Sequence, residues 1–235
     1  MHASSSRRPF TLPGLLRGAR LTLPILPGIV VFASAFGAAA AQKGLTLAQA
    51  VSVSAFVFAG ASQMVAIELW QQAWSPSTLL AIMAVTAVIN ARMILMGAAI
   101  QPWLAREPRG RLALNLFFLT DANWLIGSRY HHEGGRDIGV LFGSGLALWA
   151  AWVACTIPGF LAGALVPEPK RFGLDLVMPI FFAAMLVPLW KGFRPARPWA
   201  VAGLVALVVH GFVPGYAFIL AGALAGALAA ALLDP

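Results

Sequence analysis

Residues 138–166 read IGVLFGSGLALWAAWVACTIPGFLAGALV, a stretch without a single Asp, Glu, Lys or Arg. A helix needs about 20 mostly apolar residues to cross the hydrocarbon core of a bilayer. Three further runs meet that length, at residues 21–41, 47–70 and 78–100, and shorter ones lie at 112–128, 174–190, 199–213 and 216–233. The pattern predicts an all-α, polytopic transmembrane bundle of about seven to eight membrane segments, some of them broken or re-entrant.

The composition supports a membrane protein. The chain has 235 residues, of which 60% are hydrophobic and 10% charged, and soluble domains carry about 45–50% and about 25%. So few ions would not cover the surface of a soluble domain of this size. The net charge of +8 comes from basic residues that sit singly or in small groups between apolar runs, as in the loops of membrane proteins. We therefore expect a lipid bilayer around the chain and no nucleic-acid partner.

Residues 1–20 form a basic segment with arginines at positions 7, 8, 17 and 20. Because positive charge flanking the first span favours the cytoplasm, this segment is predicted to be cytoplasmic, with a short interfacial helix from Pro13. Arg7-Arg8 also resembles a twin-arginine export signal. The apolar run that follows is longer than a signal peptide needs and contains Pro24 and Pro27, so we interpret the arginines as a cytoplasmic flank.

Residues 21–235 are predicted to form a single transmembrane transporter domain. The letters GLTL at 44–47 and GLDL at 173–176 each open an interrupted apolar run, which suggests repeats at 21–128 and 138–233, although chance similarity also explains them. We expect the spans to be interrupted at Gly60, Pro158 and Pro179. Discontinuous helices at a repeat interface are where many transporters bind substrate.

Two polar clusters lie in the first half of the chain. Gly60 permits a helix break, and Ser62 and Gln63 follow it with hydrogen-bonding side chains. A helix that restarts there presents N–H groups to a substrate carboxylate, although a packing notch is also compatible with these residues. Further on, Asn90 and Arg92 lie inside an apolar run, where an arginine needs a counter-charge or an aqueous cavity. These residues are predicted to bind substrate.

Three more polar residues complete the candidate site. Asp121 is a candidate for proton coupling because an apolar environment favours its protonated form, and a static ion pair with Arg92 is the alternative. Asn123 is predicted to bind substrate. Asp175 is a second proton-coupling candidate, although an acid at the start of an apolar run is often a helix cap. The sequence has no catalytic, phosphate-binding or metal-ligand motif, so we expect no enzyme activity, cofactor or metal.

Several of these motifs occur together and in order. They are the letters FAGASQ at 58–63, NAR at 90–92, Thr120-Asp121 and GLDL at 173–176. In this combination the chain resembles the AzlC family, the large subunit of bacterial branched-chain amino acid exporters, over about residues 14–233.

The resemblance implies export of valine, leucine and isoleucine, and in some members methionine. It also implies secondary transport in the bacterial inner membrane, which we expect to be proton-coupled, together with a small hydrophobic subunit of the AzlD type. Two positions depart from the family pattern. Ala122 stands where many members have an acidic residue, and Met93 stands where many have a histidine. The substrate range and the proton path are left open by these departures.

Two other functions are compatible with the same residues. A channel or uptake carrier would move small hydrophobic metabolites without coupling or inward. A membrane scaffold or intramembrane enzyme would pair its polar groups with one another and leave no cavity between them.

Overall fold

The computed structural model describes residues 9–70, 75–105, 107–165, 192–213 and 217–233, together with residues 183, 187 and 190. All regular secondary structure in this part of the chain is helical, which confirms that the fold is all-α. The helices are α1 Leu12–Leu21, α2 Leu26–Gln42, α3 Leu47–Phe56, α4 Gly60–Glu68, α5 Pro76–Leu104, α6 Arg109–Phe117, α7 Asp121–His132, α8 Gly139–Ala164, α9 Arg197–Phe212 and α10 Ala217–Leu233.

Three helical stretches of the described chain are long and apolar enough to cross a membrane: Leu12–Gln42, Pro76–Leu104 and Gly139–Ala164. The first joins α1 to α2 through a 3₁₀ turn at Leu23–Ile25, so the helix expected from Pro13 is present and continues into the first span. Helices α3, α9 and α10 are apolar but shorter. Seven to eight crossings therefore remain a prediction.

The chain divides into two compact units, residues 1–63 with 90–167 and residues 64–89 with 168–235. The core of the first unit is a pair of parallel helical segments, α1–α2 and α8. Glycines bring the two backbones together: Gly18 lies against Val140, and Gly159 lies against Ser34. A Cβ atom added at either glycine would be 2.1–2.2 Å from a backbone oxygen of the other segment. Small residues allow this approach, which gives close dispersion contact between helices in lipid.

The expected interruption at Pro158 is wrong. Helix α8 continues through this proline to Ala164. Proline removes one backbone donor and crowds the preceding turn, but a neighbouring helix can satisfy the carbonyls that are displaced. Here the Ser34 hydroxyl of α2 donates to the Cys155 carbonyl over 3.3 Å. The α2 helix thus supports α8 at the position where proline weakens it.

The break expected near Gly60 is confirmed, but it lies at residues 57–59. Phe58 takes the left-handed conformation with φ +43°, and Gly60 is already the first residue of α4. Left-handed backbone is strained for a bulky side chain. Gly60 serves a different purpose, because a Cβ there would lie 2.9 Å from the Trp152 ring and 3.0 Å from the Phe32 ring.

The run at 112–128 is not one crossing. It breaks at residues 118–120 into α6 and α7, and both outer ends meet the same end of the first unit. Near the start of α6, the Arg111 guanidinium lies 4.8 Å from the Phe10 ring centroid. Near the end of α7, the Tyr130 ring lies 5.1 Å from the Arg17 guanidinium. Helices α6 and α7 therefore form a helical hairpin, with its tip at Phe118 packed against Gly145 of α8.

The second unit contains the antiparallel hairpin of α9 and α10. Gly222 and Gly226 of α10 face Ala202 and Ala206 of α9, so these small residues serve packing within the chain. The outer sides of the hairpin carry exposed leucines, among them Leu204 and Leu228. The expected interruption at Pro179 and the proposed role of Asp175 lie outside the described residues.

Candidate functional site

The first break, between α3 and α4, is held by side chains that follow it. The Ala59 amide donates to Gln63 Oε1 over 3.1 Å, and the Ser62 hydroxyl donates to the Ala59 carbonyl over 3.0 Å. Both side chains are buried. The Gln63 side chain satisfies the Ala59 amide, which the helix interruption leaves without an intrahelical acceptor, and the Ser62 hydroxyl adds a second donor to the Ala59 carbonyl, which also accepts from the Gln63 amide. The break is thus stabilised by specific hydrogen bonds.

One donor at this break has no acceptor. Gln63 is 2% exposed, and its Nε2 atom makes no hydrogen bond. On the neighbouring helix α5, Asn90 Nδ2 donates to the Ser62 hydroxyl over 3.1 Å. A buried amide that lacks a partner costs about 1–3 kcal/mol, so such a group in a native fold needs an explanation.

The second break, at the tip of the α6–α7 hairpin, is fully capped. The Thr120 amide donates to Asn123 Oδ1, and Asn123 Nδ2 donates to the Phe118 carbonyl over 2.9 Å. Thr120 and Asn123 form a capping box, in which each side chain satisfies the backbone of the other. Sequence reasoning missed this break. A Thr followed three residues later by Asn was the available signal.

An ion pair links α5 to the second break. Arg92 Nη2 lies 2.9 Å from Asp121 Oδ2, with side chains 39% and 43% exposed. Helix α5 continues past Pro102 to Leu104, which places Arg92 about 18 Å along the helix from that end. An arginine so far from the end reaches the interface poorly, and the internal pairing with Asp121 is confirmed. Arg92 Nε is buried and has no hydrogen-bond partner.

Asn90 and Arg92 serve different breaks. Residues two apart on a helix point about 200° from each other, so their side chains cannot meet. Asn90 contacts Ser62 and Arg92 contacts Asp121. The tips themselves meet through aromatic rings, since the Phe58 and Phe118 centroids lie 6.5 Å apart.

Residues that neighbour this ion pair in the sequence line an apolar cavity of about 420 Å³. It lies between the second half of α5 and α6, and its lining includes Met93, Gly97, Leu116 and Leu119. Met93 directly follows Arg92, and Leu119 precedes Asp121 by two residues. Phe56, Phe58 and Met64 do not line this cavity.

Comparison with known families identifies the family of the chain. Residues 24–166, more than half of the chain, match the family described as AzlC protein. The chain belongs to the AzlC family. The matched residues include both helix breaks and the ion pair.

Relatives of this AzlC family member are named as membrane proteins. An uncharacterized membrane protein of Archaeoglobus fulgidus is 30% identical over 213 residues, which cover 89% of each chain. Inner membrane protein YgaZ of Escherichia coli K12 is 28% identical over 77% of each chain. An uncharacterized membrane protein of Helicobacter pylori 26695 is 25% identical over 81% of this chain and 83% of its own. No solved structure matches. With its long apolar helices, this AzlC family member is a membrane protein.

The predicted site residues of this AzlC protein fall into two groups. Ser62, Gln63 and Asn90 meet at the first break, while Arg92, Asp121 and Asn123 belong to the second. Gly60 makes room for two aromatic rings beside the first break. The binding and coupling roles of all these residues stay predictions, and so does that of Asp175.

Proposed function

We propose that this AzlC protein is the large subunit of a secondary exporter of branched-chain amino acids, acting with a small AzlD-type membrane subunit and not as an enzyme. One observation carries the proposal. Two of the predicted site residues have a buried nitrogen atom without an acceptor, Gln63 Nε2 and Arg92 Nε, and both atoms are donors. An anionic acceptor such as a carboxylate would satisfy either of them.

The ion pair matches the head group of an amino acid. A zwitterion carries a carboxylate and an ammonium group close together, and Arg92 and Asp121 carry the complementary charges. We infer that substrate exchanges with the pair, so that Arg92 takes the carboxylate and Asp121 takes the ammonium group. Because the pair is partly exposed, opening it costs less than opening a fully buried pair.

Proton coupling follows from the same exchange. A proton on Asp121 would remove the charge that holds Arg92 and would free the guanidinium for a substrate carboxylate. Proton binding at Asp121 and substrate binding at Arg92 would then be linked. Acidic residues inside membrane domains commonly serve as such proton carriers.

The apolar cavity suits an aliphatic side chain. Its walls are leucines, methionine and isoleucine with one polar residue, Gln101. Each buried CH₂ group of a ligand contributes about 0.8 kcal/mol, so leucine would bind more tightly than alanine or glycine. This preference supports branched-chain substrates over small or charged ones.

Location and partner rest on the family. The resemblance implies an AzlD-type subunit, and the Escherichia coli relative is named an inner membrane protein. We propose the bacterial inner membrane with a cytoplasmic N-terminus, in agreement with the basic flank of the first span.

The test is counterflow of radiolabelled leucine into proteoliposomes that contain the full chain, with and without an AzlD-type subunit. We expect counterflow that competes with valine and isoleucine but not with lysine. Arg92→Gln should reduce it about 30-fold or more, since truncating one partner of a charge pair is costly. Gln63→Ala should reduce it about tenfold.

Arg109→Gln, an exposed arginine in the first turn of α6, is the matched control and should retain full counterflow. Absence of leucine counterflow both with and without the subunit would contradict the substrate assignment. Net leucine efflux driven by an imposed proton gradient tests the coupling, and efflux that is unchanged in Asp121→Asn and insensitive to collapse of that gradient would contradict it.

A further inference from the structure

A second cavity lies at the end of the first unit, far along α7 from the ion pair. Its volume is about 340 Å³. Arg17, Leu21 and Pro24 line it from the segment that leads from α1 into α2, and Ile126, Arg129 and Tyr130 line it from the last turns of α7. Asp121 and Tyr130 are nine residues apart, about 13 Å of helix, so this cavity is separate from the candidate transport site.

The cavity carries unbalanced positive charge. The Arg17 guanidinium lies over the Tyr130 ring, and the ion pairs among the described residues do not include it. Arg129 Nε lies 2.9 Å from Glu133 Oε1, and both side chains are exposed. This hydrogen bond and the negative charge of Glu133 raise the pKa of Arg129. Two arginines against one carboxylate leave one net positive charge at the cavity.

The cavity also has an apolar wall, which comes from the same two segments as the arginines. Leu21, Pro24 and Ile126 form that wall. Next to them along the chain, Leu23 is 60% exposed and Leu125 is 63% exposed. Large exposed leucines on a membrane protein face acyl chains. The cavity therefore has a cationic end and an apolar end that opens toward lipid.

We propose that this cavity binds an anionic phospholipid, with the phosphate at Arg17 and Arg129 and an acyl chain along Leu21, Pro24 and Ile126. A soluble phosphate would use the cationic end but would leave the apolar wall unfilled. A zwitterionic lipid would bring no net charge to balance the free arginine. Basic pockets beside transmembrane helices are known to suit anionic head groups. The proposal does not depend on the transported substrate.

The test is native mass spectrometry of the purified full chain after exchange into phosphatidylglycerol or phosphatidylcholine. We expect retained phosphatidylglycerol and little retained phosphatidylcholine. Arg17→Gln and Arg129→Gln should each weaken phosphatidylglycerol binding about fivefold, and the double variant about 25-fold. Arg109→Gln, an exposed arginine outside the cavity, should have no effect.

Three results would overturn the proposal. They are equal retention of the two lipids, an equal loss in Arg109→Gln, which would indicate diffuse surface charge, and displacement of the lipid by glycerol 3-phosphate, which would indicate a soluble phosphate ligand. All three arginines are exposed, so the single variants should fold. Elution of each variant as the wild-type monodisperse peak verifies this, and the single variants decide the outcome if the double variant does not fold.

Discussion

The two helix breaks of the first unit solve the same problem in different ways. At residues 118–120 the Thr120–Asn123 capping box satisfies both side chains and the backbone around them. At residues 57–59 the chain passes through a left-handed Phe58, and Gln63 satisfies the Ala59 amide but leaves its own Nε2 without an acceptor. One break is complete in itself and the other is not.

This difference indicates that the two breaks have different roles. The completed cap fixes the first residue of α7, Asp121, in a defined place opposite Arg92. The incomplete break keeps a buried donor and a strained residue, features that cluster at functional sites because the surrounding fold must hold them. We expect substitutions at the second break to reduce the stability of the fold, and substitutions at the first break to reduce transport.

The sharpest test of this comparison replaces the capping amides. Asn123→Leu should lower the free energy of unfolding by about 3 kcal/mol, because the part-buried Thr120 amide and the buried Phe118 carbonyl lose their partners. Gln63→Leu should cost less than about 1 kcal/mol, because it removes the unpaired donor along with one hydrogen bond. Unfolding by titration with SDS in mixed micelles measures both, and equal losses would remove the distinction between the breaks.

A second test fills the space behind the completed cap. A Cβ on Gly145 would lie 2.7 Å from Asn123 Nδ2 and 2.8 Å from the Phe118 backbone oxygen. Gly145→Ala should therefore cost about 2 kcal/mol in the same titration. Gly110→Ala is the matched control on α6, since nothing lies within 4 Å of its added Cβ, and it should be neutral or slightly stabilising. Similar losses in both variants would show that helix propensity, not the contact, decides.

The ion pair gives a test of intermediate size. Asp121→Asn or Arg92→Gln alone should destabilise the fold by about 1–2 kcal/mol, less than for a fully buried pair because water screens part of the charge. The double variant should recover part of that loss, because neither charge remains unpaired. Thermal unfolding followed by intrinsic fluorescence measures the cycle. Additive losses would argue against coupling across the pair, whereas recovered stability without recovered counterflow would support a transport role.

The smallest expected effect is a difference in stability between glycine and alanine variants, which should have opposite signs at Phe58 and Phe118. At Phe58 the left-handed backbone favours glycine, so Phe58→Gly should be about 1 kcal/mol more stable than Phe58→Ala. At Phe118 φ is −86°, and there Phe118→Ala should be more stable than Phe118→Gly by about 0.5–1 kcal/mol. Both comparisons cancel the loss of the ring itself. The same order at both positions would show that Phe58 is not strained.

The candidate site could be predicted in part because polar residues in apolar runs are conspicuous. Arg92 and Asp121 stand out for this reason, and their pairing follows from the cost of a lone charge in a bilayer. The exact position of the first break could not be predicted, since Gly60 is the residue expected to bend and Phe58 is the residue that does. The interruption expected at Pro158 is absent because a hydroxyl on another helix, that of Ser34, donates to a carbonyl in the turn before the proline.

The sequence by itself determined that this is an all-α membrane protein of the AzlC family, since run length, charge content and the order of short motifs are properties of the chain alone. Only the tertiary structure decided that residues 109–132 turn back as a hairpin, that Asn90 and Arg92 serve different breaks, and that Gln63 keeps an unpaired donor. The reason is physical. Hydrophobicity measures transfer into lipid one residue at a time, whereas the direction of a helix and the satisfaction of a polar atom depend on which other segments lie beside it.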